Sequence, residues 1–338
     1  MADTVNPVLV EVERSGFVES RHRGAAVGLA ADGRCAMRLG AVDVPIFPRS
    51  ANKPMQAVAM LRHGLALDGE SLALAAASHS GEDFHVEGVR RILAAAGLAA
   101  DALRCPAAWP IDEHAAERLM RAGGRRTRLH MNCSGKHAAM LATCVAGGWP
   151  IESYTAPGHP LQVEIRRTIE ELTGEKVAAT GVDGCGAPLF AVSLTGVARA
   201  FRTLVRAAPG SPERRVADAM RRHPEWTSGT GRDERRLMSA VPGLLVKSGA
   251  EGVDAFAFAA GSDVFAGALK IEDGAKRART PVTVALLRAL GALGRTGTGD
   301  LVPAELATVP LPGGDGVVGA VRPVPGLFGC QESRAGKA

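Results

Sequence analysis

Residues 244–270 read LLVKSGAEGVDAFAFAAGSDVFAGALK, and this stretch decides the fold class. Three apolar runs are separated by short turns that contain glycine, which is typical of consecutive antiparallel strands. Lys247 and Lys270 each lie at the end of a run. A lysine at a strand end commonly faces solvent, but two lysines that are each followed by glycine and an acid also suit a shared cleft. The runs are 244–247, 255–260 and 264–270.

The rest of the chain places further strands before this stretch and a helical region between them. Short β-like runs at 8–12, 25–29 and 35–37 predict strands, with a hairpin turn at Asp32-Gly33. The tail after residue 300 is rich in Pro and Gly, and we expect it to wrap the surface. Periodic apolar segments predict helices at 54–63, 71–77, 85–96, 131–144, 161–172, 193–206, 216–222 and 282–293.

This order of elements predicts an α+β fold. An antiparallel sheet built from both ends of the chain would be flanked by helices, with a helical region inserted in the middle. We expect a single domain over 1–338. Within it, the sheet-bearing part would comprise 1–50 plus 240–338, and the mainly helical part 51–239.

Composition and charge argue against several classes of function. The 338 residues carry a net charge of +5, but the basic residues are dispersed and do not alternate with aromatic residues, so we expect no nucleic-acid partner. The chain has no apolar run long enough to span a membrane and no signal-peptide pattern at its start. Its six cysteines form no C-x-x-C motif, which predicts thiols and a cytoplasmic protein.

The segment Arg49–Pro54 reads RSANKP and contains an S-x-x-K pattern. Positions i and i+3 share one face of a helix, so a desolvated Lys53 amine can hold or accept the proton of the Ser50 hydroxyl. A serine that caps a helix, followed by a solvent-facing lysine, explains the same pattern.

The segment Ala77–Glu82 reads ASHSGE. Its glycine-containing turn can present the Ser80 hydroxyl to a cleft. Ser80 also suits the cap of the helix that follows, and the two interpretations are compatible.

Two further segments combine thiols with polar and charged groups. Residues 131–137 read MNCSGKH ahead of an apolar helix, and a buried helix N-terminus lined with donors suits an anion or oxyanion. Residues 183–186 read DGCG. Cys133, Asp183 and Cys185 are ligand types that zinc uses, but two sulfurs and one oxygen fall short of a closed tetrahedral set.

Together these segments resemble the L-asparaginase II family of the thermolabile bacterial type. The resemblance implies hydrolysis of L-asparagine to L-aspartate and ammonia, a fold similar to serine β-lactamases and glutaminases, and a homodimer. The matching strings are RSANKPMQ, ASHSGE, MNCSGKHAAML, GVDGCGAP, GTGRD, KSGAEGV and ALKIEDG, which lie between residues 49 and 274.

The resemblance also implies roles for individual residues. Two serine–lysine pairs would be catalytic, Ser50 with Lys53 and Ser80 with Lys270. No organic cofactor is implied. A zinc site would fall on Cys133, Lys136, Asp183 and Cys185.

We expect four residues to bind the substrate. The guanidinium of Arg49 matches an α-carboxylate in shape and charge, and either Glu251 or Asp183 suits the α-ammonium. Asn132 and His137 come from the polar segment before the apolar helix.

These expectations combine into a double-displacement hydrolysis of an amide. Ser50 would attack the amide carbon while Lys53 takes its proton, and Ser80 with Lys270 would serve the leaving ammonia or the incoming water. Two alternatives remain, a β-lactamase or penicillin-binding-like serine hydrolase and a metal-binding protein without catalysis.

Overall fold

The computed structural model describes residues 5–292 and 301–329, and strands from both ends of the chain form its main sheet. These strands are β1 (Val8–Arg14), β2 (Phe17–Leu29), β3 (Cys35–Leu39), β4 (Ala179–Val182), β5 (Pro188–Ala191), β6 (Leu244–Gly249), β7 (Val253–Ala260), β8 (Asp263–Ile271), β9 (Val309–Gly313) and β10 (Gly316–Pro323). The order in the main sheet is β6-β7-β8-β2-β1-β10-β9, and β3 pairs with β2. Every pairing is antiparallel, and β4 with β5 forms a separate hairpin.

Most of the helices lie between the N-terminal and the C-terminal strands. A 3-10 turn at Arg49–Asn52 leads directly into the first of them, and Pro54 suits its first turn because proline lacks an N–H donor. The helices are α1 (Lys53–Arg62), α2 (Gly69–Ala75), α3 (Asp83–Ala95), α4 (Glu113–Arg121), α5 (Ser134–Gly147), α6 (Pro160–Thr173), α7 (Leu194–Arg206), α8 (Pro212–Arg222), α9 (Pro224–Thr227), α10 (Asp233–Ala240), α11 (Lys276–Ala289) and α12 (Ala304–Ala307).

Side chains alternate between the two faces of the sheet along each strand, and both faces are buried. On β8, Ala266 and Ala268 pack into the core shared with the helical region, whereas Leu269 and Ile271 pack on the opposite side. Helix α7 contacts β2, β7 and β8, and α11 contacts β1, β8 and β10. By the same alternation, Lys247 and Lys270 belong to the face that is turned toward the helical region.

The predicted α+β fold with an antiparallel sheet is confirmed, and the sheet is built from both ends of the chain. The division into two parts within one domain stays a prediction. The expectation for the tail is wrong, because β9 and β10 form a hairpin that pairs with β1. Residues 179–191 form the hairpin of β4 and β5.

Two further features bear on the expectations from the sequence. The described cysteines, which exclude Cys330, are free thiols. Within residues 5–292 and 301–329, no helix has both the length and the apolar character to cross a membrane.

Strand β6 touches the turn Arg49–Asn52 through a glycine. A Cβ atom on Gly249 would lie 2.3 Å from the carbonyl oxygen of Pro48 and 3.3 Å from the amide nitrogen of Ala51. Only glycine therefore allows this approach without a backbone shift. The contact brings the S-x-x-K turn to the end of the strand that carries Lys247.

Candidate active site

A cavity lies where the end of β6, the turn Arg49–Asn52 and the start of α11 meet. Its volume is about 200 Å³, below the range of about 300–1,000 Å³ that is common for drug-sized ligands, so it suits a small metabolite. Three serine hydroxyl groups lie in its wall, and they belong to Ser50, Ser78 and Ser248.

Lys53 is buried beside this cavity, with 1% of its surface exposed. Its Nζ atom donates to the carbonyl oxygen of Ala77 at 2.6 Å, to Ser78 Oγ at 2.9 Å and to Cys133 Sγ at 3.0 Å. Within the described residues, no hydrogen bond joins Lys53 to Ser50. The amine of the S-x-x-K pattern therefore contacts a different serine of the same cavity.

Ser78 is a site residue that was not predicted from the sequence. It precedes α3 in the ASHSGE segment, and its amide donates to the carbonyl oxygen of Thr227 at 3.2 Å. The segment offers two serines, and its pattern favours Ser80 because this residue stands next to the glycine of the turn. The structure gives the contact with Lys53 to Ser78 instead.

Ser80 lines a neighbouring cavity of about 280 Å³ rather than the cavity of Ser50. Its Oγ atom donates to the carbonyl oxygen of Ser228 at 2.9 Å. The side chains of Arg232 and Lys276 line both cavities. Ser80 is thus near the site, but its hydroxyl is held by backbone.

The expected pairing of Ser80 with Lys270 is not found among the hydrogen bonds of the described chain. Lys270 Nζ donates to the carbonyl oxygens of Glu251 at 2.8 Å and Ile271 at 3.1 Å. Burial lowers the pKa of Lys270. These contacts hold the loop between β6 and β7, so Lys270 supports the cavity wall instead of a serine.

Lys247 is the buried amine that comes with β6, and the sequence alone does not assign it to the site. It is fully buried, and its Nζ atom donates to the carbonyl oxygen of Ser248 at 2.8 Å. Burial lowers its pKa to about 7. The charges of Lys53 and Arg232 also lower this pKa, whereas Glu234 raises it. Lys247 is therefore an amine that can be uncharged near neutral pH.

Two buried acids lie behind the cavity and pair with arginines that line it. Arg232 lies 3.5 Å from Glu234, and Arg279 lies 3.1 Å from Asp254. Burial opposes the ionisation of Glu234, but Arg232 and Arg279 hold its pKa well below the usual range. For Asp254, burial outweighs Arg279 and raises the pKa.

The substrate-binding residues expected from the sequence are divided by the structure. Asn132 and Glu251 line the cavity. Arg49 does not line it, because its guanidinium pairs with Asp183 at 2.9 Å. His137 is fully buried in α5, and its Nδ1 atom shares a hydrogen bond of 2.7 Å with the hydroxyl of Tyr154. Neither Arg49 nor His137 lines the cavity, and their roles in substrate binding stay predictions.

The two cysteines and the lysine of the predicted zinc site do come together. Lys136 Nζ donates to Cys185 Sγ at 3.1 Å, and all three residues are buried. A hydrogen bond from Cys133, together with the charge of Lys136, holds the pKa of Cys185 far below the usual value. The same hydrogen bond and burial raise the pKa of Cys133, so the cluster holds one thiolate and one thiol.

The predicted set of zinc ligands is not assembled as a set. Asp183 Oδ1 pairs with Arg49, and Asp183 Oδ2 lies 3.9 Å from Cys185. Although burial opposes it, Cys185 raises the pKa of Lys136, and a protonated amine cannot be a ligand. Within the described residues, no group of three or more His, Cys, Asp or Glu side chains could hold a metal. The arrangement suits an ammonium–thiolate pair better than zinc, and zinc stays a prediction.

Residues 10–323 match a family model described as L-asparaginase II. The match covers every residue that lines the cavity. No curated protein matches the chain.

Several solved structures are similar to the chain at low sequence identity. The β-lactamase of Sphaerobacter thermophilus DSM 20745 has 14% identity and a TM-score of 0.42, with 80% of this chain and 92% of that chain covered. A structure of Mglu has 16% identity and a TM-score of 0.42, with 84% and 64% covered, so the chain spans less than two thirds of it. A Bacillus glutaminase has 12% identity and a TM-score of 0.35, with 86% and 92% covered. No function is transferred from likenesses with such TM-scores.

Proposed function

The chain belongs to the L-asparaginase II family, and from this premise we propose that it hydrolyses L-asparagine to L-aspartate and ammonia through a serine acyl-enzyme. The family supports the broader statement that the protein is an amidohydrolase. The choice of asparagine, the serine and the covalent intermediate are our proposal, as is the homodimer.

One observation carries the proposal for the mechanism. The buried Lys53 amine lies 2.9 Å from Ser78 Oγ, and Ser78 shares its cavity with Ser50. Ser50 is the nucleophile in the proposed reaction because its hydroxyl has no hydrogen-bond partner in the described part of the chain and because it lies in the turn Arg49–Asn52 that leads into α1. An unpartnered hydroxyl next to a lysine–serine pair is suited to attack on a carbonyl carbon.

The proposed reaction has two displacements. Ser50 Oγ bonds to the side-chain amide carbon, and its proton passes through Ser78 to Lys53. The C–N bond then breaks and Lys53 returns the proton to the leaving ammonia. In the second displacement, the oxygen of water bonds to the acyl carbon, and a water proton passes through Ser78 to Lys53. The C–O bond to Ser50 then breaks, Lys53 returns the proton to Ser50 Oγ, and L-aspartate leaves.

Lys247 supports this sequence of proton transfers through charge. It interacts with Lys53 electrostatically, and two ammonium groups near each other disfavour double protonation. Lys247, whose pKa burial lowers to about 7, is the amine of this pair that can be uncharged close to neutral pH.

The oxyanion of the tetrahedral intermediate needs donors that are in place before the reaction. The amide N–H of Ser50 belongs to the first residues of a helical segment, which have no acceptor within that segment. A donor in such a position typically contributes about 3 kcal/mol to transition-state stabilisation.

The test measures ammonia release from L-asparagine and L-glutamine, combined with mass spectrometry of the acid-quenched enzyme. We expect turnover of asparagine and a mass increase that disappears in Ser50→Ala. Ser78→Ala should retain the adduct but form it roughly 100-fold more slowly, because general-base catalysis contributes about 10²–10⁴-fold. Ser80→Ala is the matched control.

Different results would reject different parts of the proposal. An adduct that persists in Ser50→Ala and disappears in Ser78→Ala or Ser80→Ala reassigns the nucleophile. Turnover of the β-lactam nitrocefin without ammonia release from either amino acid rejects the amidase.

A further inference from the structure

We propose that Arg232, Lys276 and Arg279, here called the cationic wall, form a carboxylate site that holds the α-carboxylate of the substrate. The inference rests on the proposed function and assigns the substrate class, an amide that carries a free carboxylate. It also replaces Arg49, whose guanidinium is occupied by Asp183.

The three cations line the same cavity as Ser50 and Ser78. They come from two separate elements, because Arg232 precedes α10 whereas Lys276 and Arg279 belong to the first turn of α11. Cations at a helix N-terminus are unfavourable, since this end of the helix dipole is positive. The arrangement therefore does not serve helix stability, but it suits a bound anion.

Arg279 provides an independent indication of a ligand. Its side chain is 4% exposed and lines the cavity. Nη1 donates to the carbonyl oxygen of Gly249 at 3.4 Å, but Nη2 has no hydrogen-bond partner in residues 5–292 and 301–329. A buried guanidinium N–H without an acceptor is costly, and a carboxylate oxygen would satisfy it.

Three acids lie near the wall, Asp233, Glu234 and Asp254, and none of them lines the cavity. Glu234 and Asp254 lie behind Arg232 and Arg279, where they fix the two guanidinium groups in position. Lys276 forms no ion pair with any described residue, and Asp233 is engaged by the hydroxyl of Thr280 at 2.8 Å. Burial lowers the pKa of Lys276, and Arg232 and Arg279 lower it further, against the opposing effect of Asp233 and Glu234.

The acid that does line the cavity has an exposed side chain. Glu251 lies in the loop after β6, with 64% of its side chain exposed, and its Oε1 atom lies 3.9 Å from Arg49 Nη1. A ligand that carries a negative group and a separate positive group can therefore place the negative group at the cationic wall and the positive group at Glu251. A free α-amino acid has both groups, and a carboxylate–guanidinium contact contributes most to its orientation.

The experiment compares L-asparagine with 3-aminopropanamide, which is asparagine without its carboxylate. The variants are Arg232→Gln and Lys276→Met, and the control is Arg277→Gln, whose guanidinium contacts His22 and Ser20 outside the cavity. In the two wall variants, kcat/KM for asparagine divided by kcat/KM for 3-aminopropanamide should fall roughly tenfold or more, because one charge-assisted hydrogen bond to the carboxylate is lost. The change should come mainly from a higher KM for asparagine. In Arg277→Gln the ratio should stay as in the unmodified enzyme.

Binding of L-aspartate, followed by calorimetry, separates this inference from the proposed function. If the enzyme releases no ammonia from asparagine but binds L-aspartate, and the wall variants bind it at least tenfold more weakly, the carboxylate site stands and the asparaginase does not. If the wall variants bind L-aspartate as tightly as the unmodified protein, or lose kcat/KM equally for both amides, the carboxylate site is rejected.

Discussion

At the scale of single residues, Lys247 is the side chain whose ionisation should affect stability most clearly. Burial lowers its pKa from 10.5 to about 7. Between pH 7 and pH 10.5, Lys247 carries a proton in the unfolded chain but not in the folded protein. The contribution of Lys247 to the free energy of unfolding therefore rises with pH in this range. Below pH 7 both states are protonated, and the full penalty of a buried ammonium remains.

We therefore expect Lys247→Met to remove a pH dependence. Between pH 7.5 and 9.5, the free energy of unfolding of the unmodified protein should rise relative to that of the variant by about 2–3 kcal/mol. Urea unfolding at both pH values measures this difference. Lys176→Met is the control, because Lys176 is exposed and pairs with Glu170 on the surface. Parallel pH profiles for the unmodified protein and Lys247→Met would contradict the assignment.

The residues that the sequence could place in the cavity are those whose position depends on a short segment. Ser50, Asn132 and Glu251 each belong to a motif that is evident in the sequence, and each lines the cavity. Ser78 and Ser80 are two residues apart in an irregular turn, so the sequence does not decide which hydroxyl meets Lys53. That contact depends on how α1 packs against residues 77–78, a tertiary feature.

For a similar reason, local sequence does not predict the partner of Arg49 or the convergence of the cationic wall. A guanidinium next to the S-x-x-K pattern suits a carboxylate, but Asp183, 134 positions away, competes for it. Arg232 and Arg279 are separated in sequence and meet at the cavity through the docking of α10 and α11 beside β6. No local pattern marks such a convergence.

At the scale of secondary-structure elements, the contact of β6 with the turn Arg49–Asn52 should control activity. Because a Cβ on Gly249 would lie 2.3 Å from the Pro48 carbonyl oxygen, Gly249→Ala must push the strand and the turn apart. A shift of about 1 Å at a reacting group can lower the rate roughly 100-fold. We expect kcat to fall by that order, with a loss of stability of about 1–3 kcal/mol.

Steady-state kinetics and urea unfolding of Gly249→Ala test this expectation. Gly158→Ala is the matched control, because a Cβ atom at Gly158 would meet no atom within 4 Å and the backbone there does not have a positive φ. Equal activity of the two variants would show that the strand-to-turn contact does not position the site.

Elements with clear periodicity were predictable, whereas short proline-containing ones were not. Strand β9 carries Pro310 and Pro312, which usually argue against a strand. It lies at the edge of the sheet, where proline is tolerated because one side needs no hydrogen-bond donors. Helix α11 likewise begins before Pro281, which lies inside it, so the predicted start at residue 282 is too late.

At the scale of the whole molecule, the fold class followed from the order of elements. Strands at both ends of a chain must pair if each is to satisfy its backbone groups, and β2 accordingly lies between β1 and β8. The position of the active site within this fold was not predictable to the same degree. It depends on buried charges that connect β6, β7, α10 and α11 behind the cavity.

A buried ion pair joins β7 to α11. Asp254 and Arg279 are 1% and 4% exposed, and the carboxylate also accepts a hydrogen bond of 2.7 Å from Thr283. Asp254→Ala leaves the Arg279 charge buried without its partner, so the free energy of unfolding should fall by about 3–5 kcal/mol. Glu13→Ala is the control, because Glu13 pairs with Arg322 between β1 and β10 at a partly exposed position and should contribute about 0–1 kcal/mol.

Each pair joins two separate elements, β7 with α11 and β1 with β10, and the two pairs differ in burial. Urea unfolding at pH 7 measures both variants against the unmodified protein. If Asp254→Ala and Glu13→Ala lose the same small amount, Arg279 reaches solvent or another acid when its partner is removed. In that case the guanidinium would be free to leave the cavity, and the fixed orientation that the cationic wall requires would be lost with it.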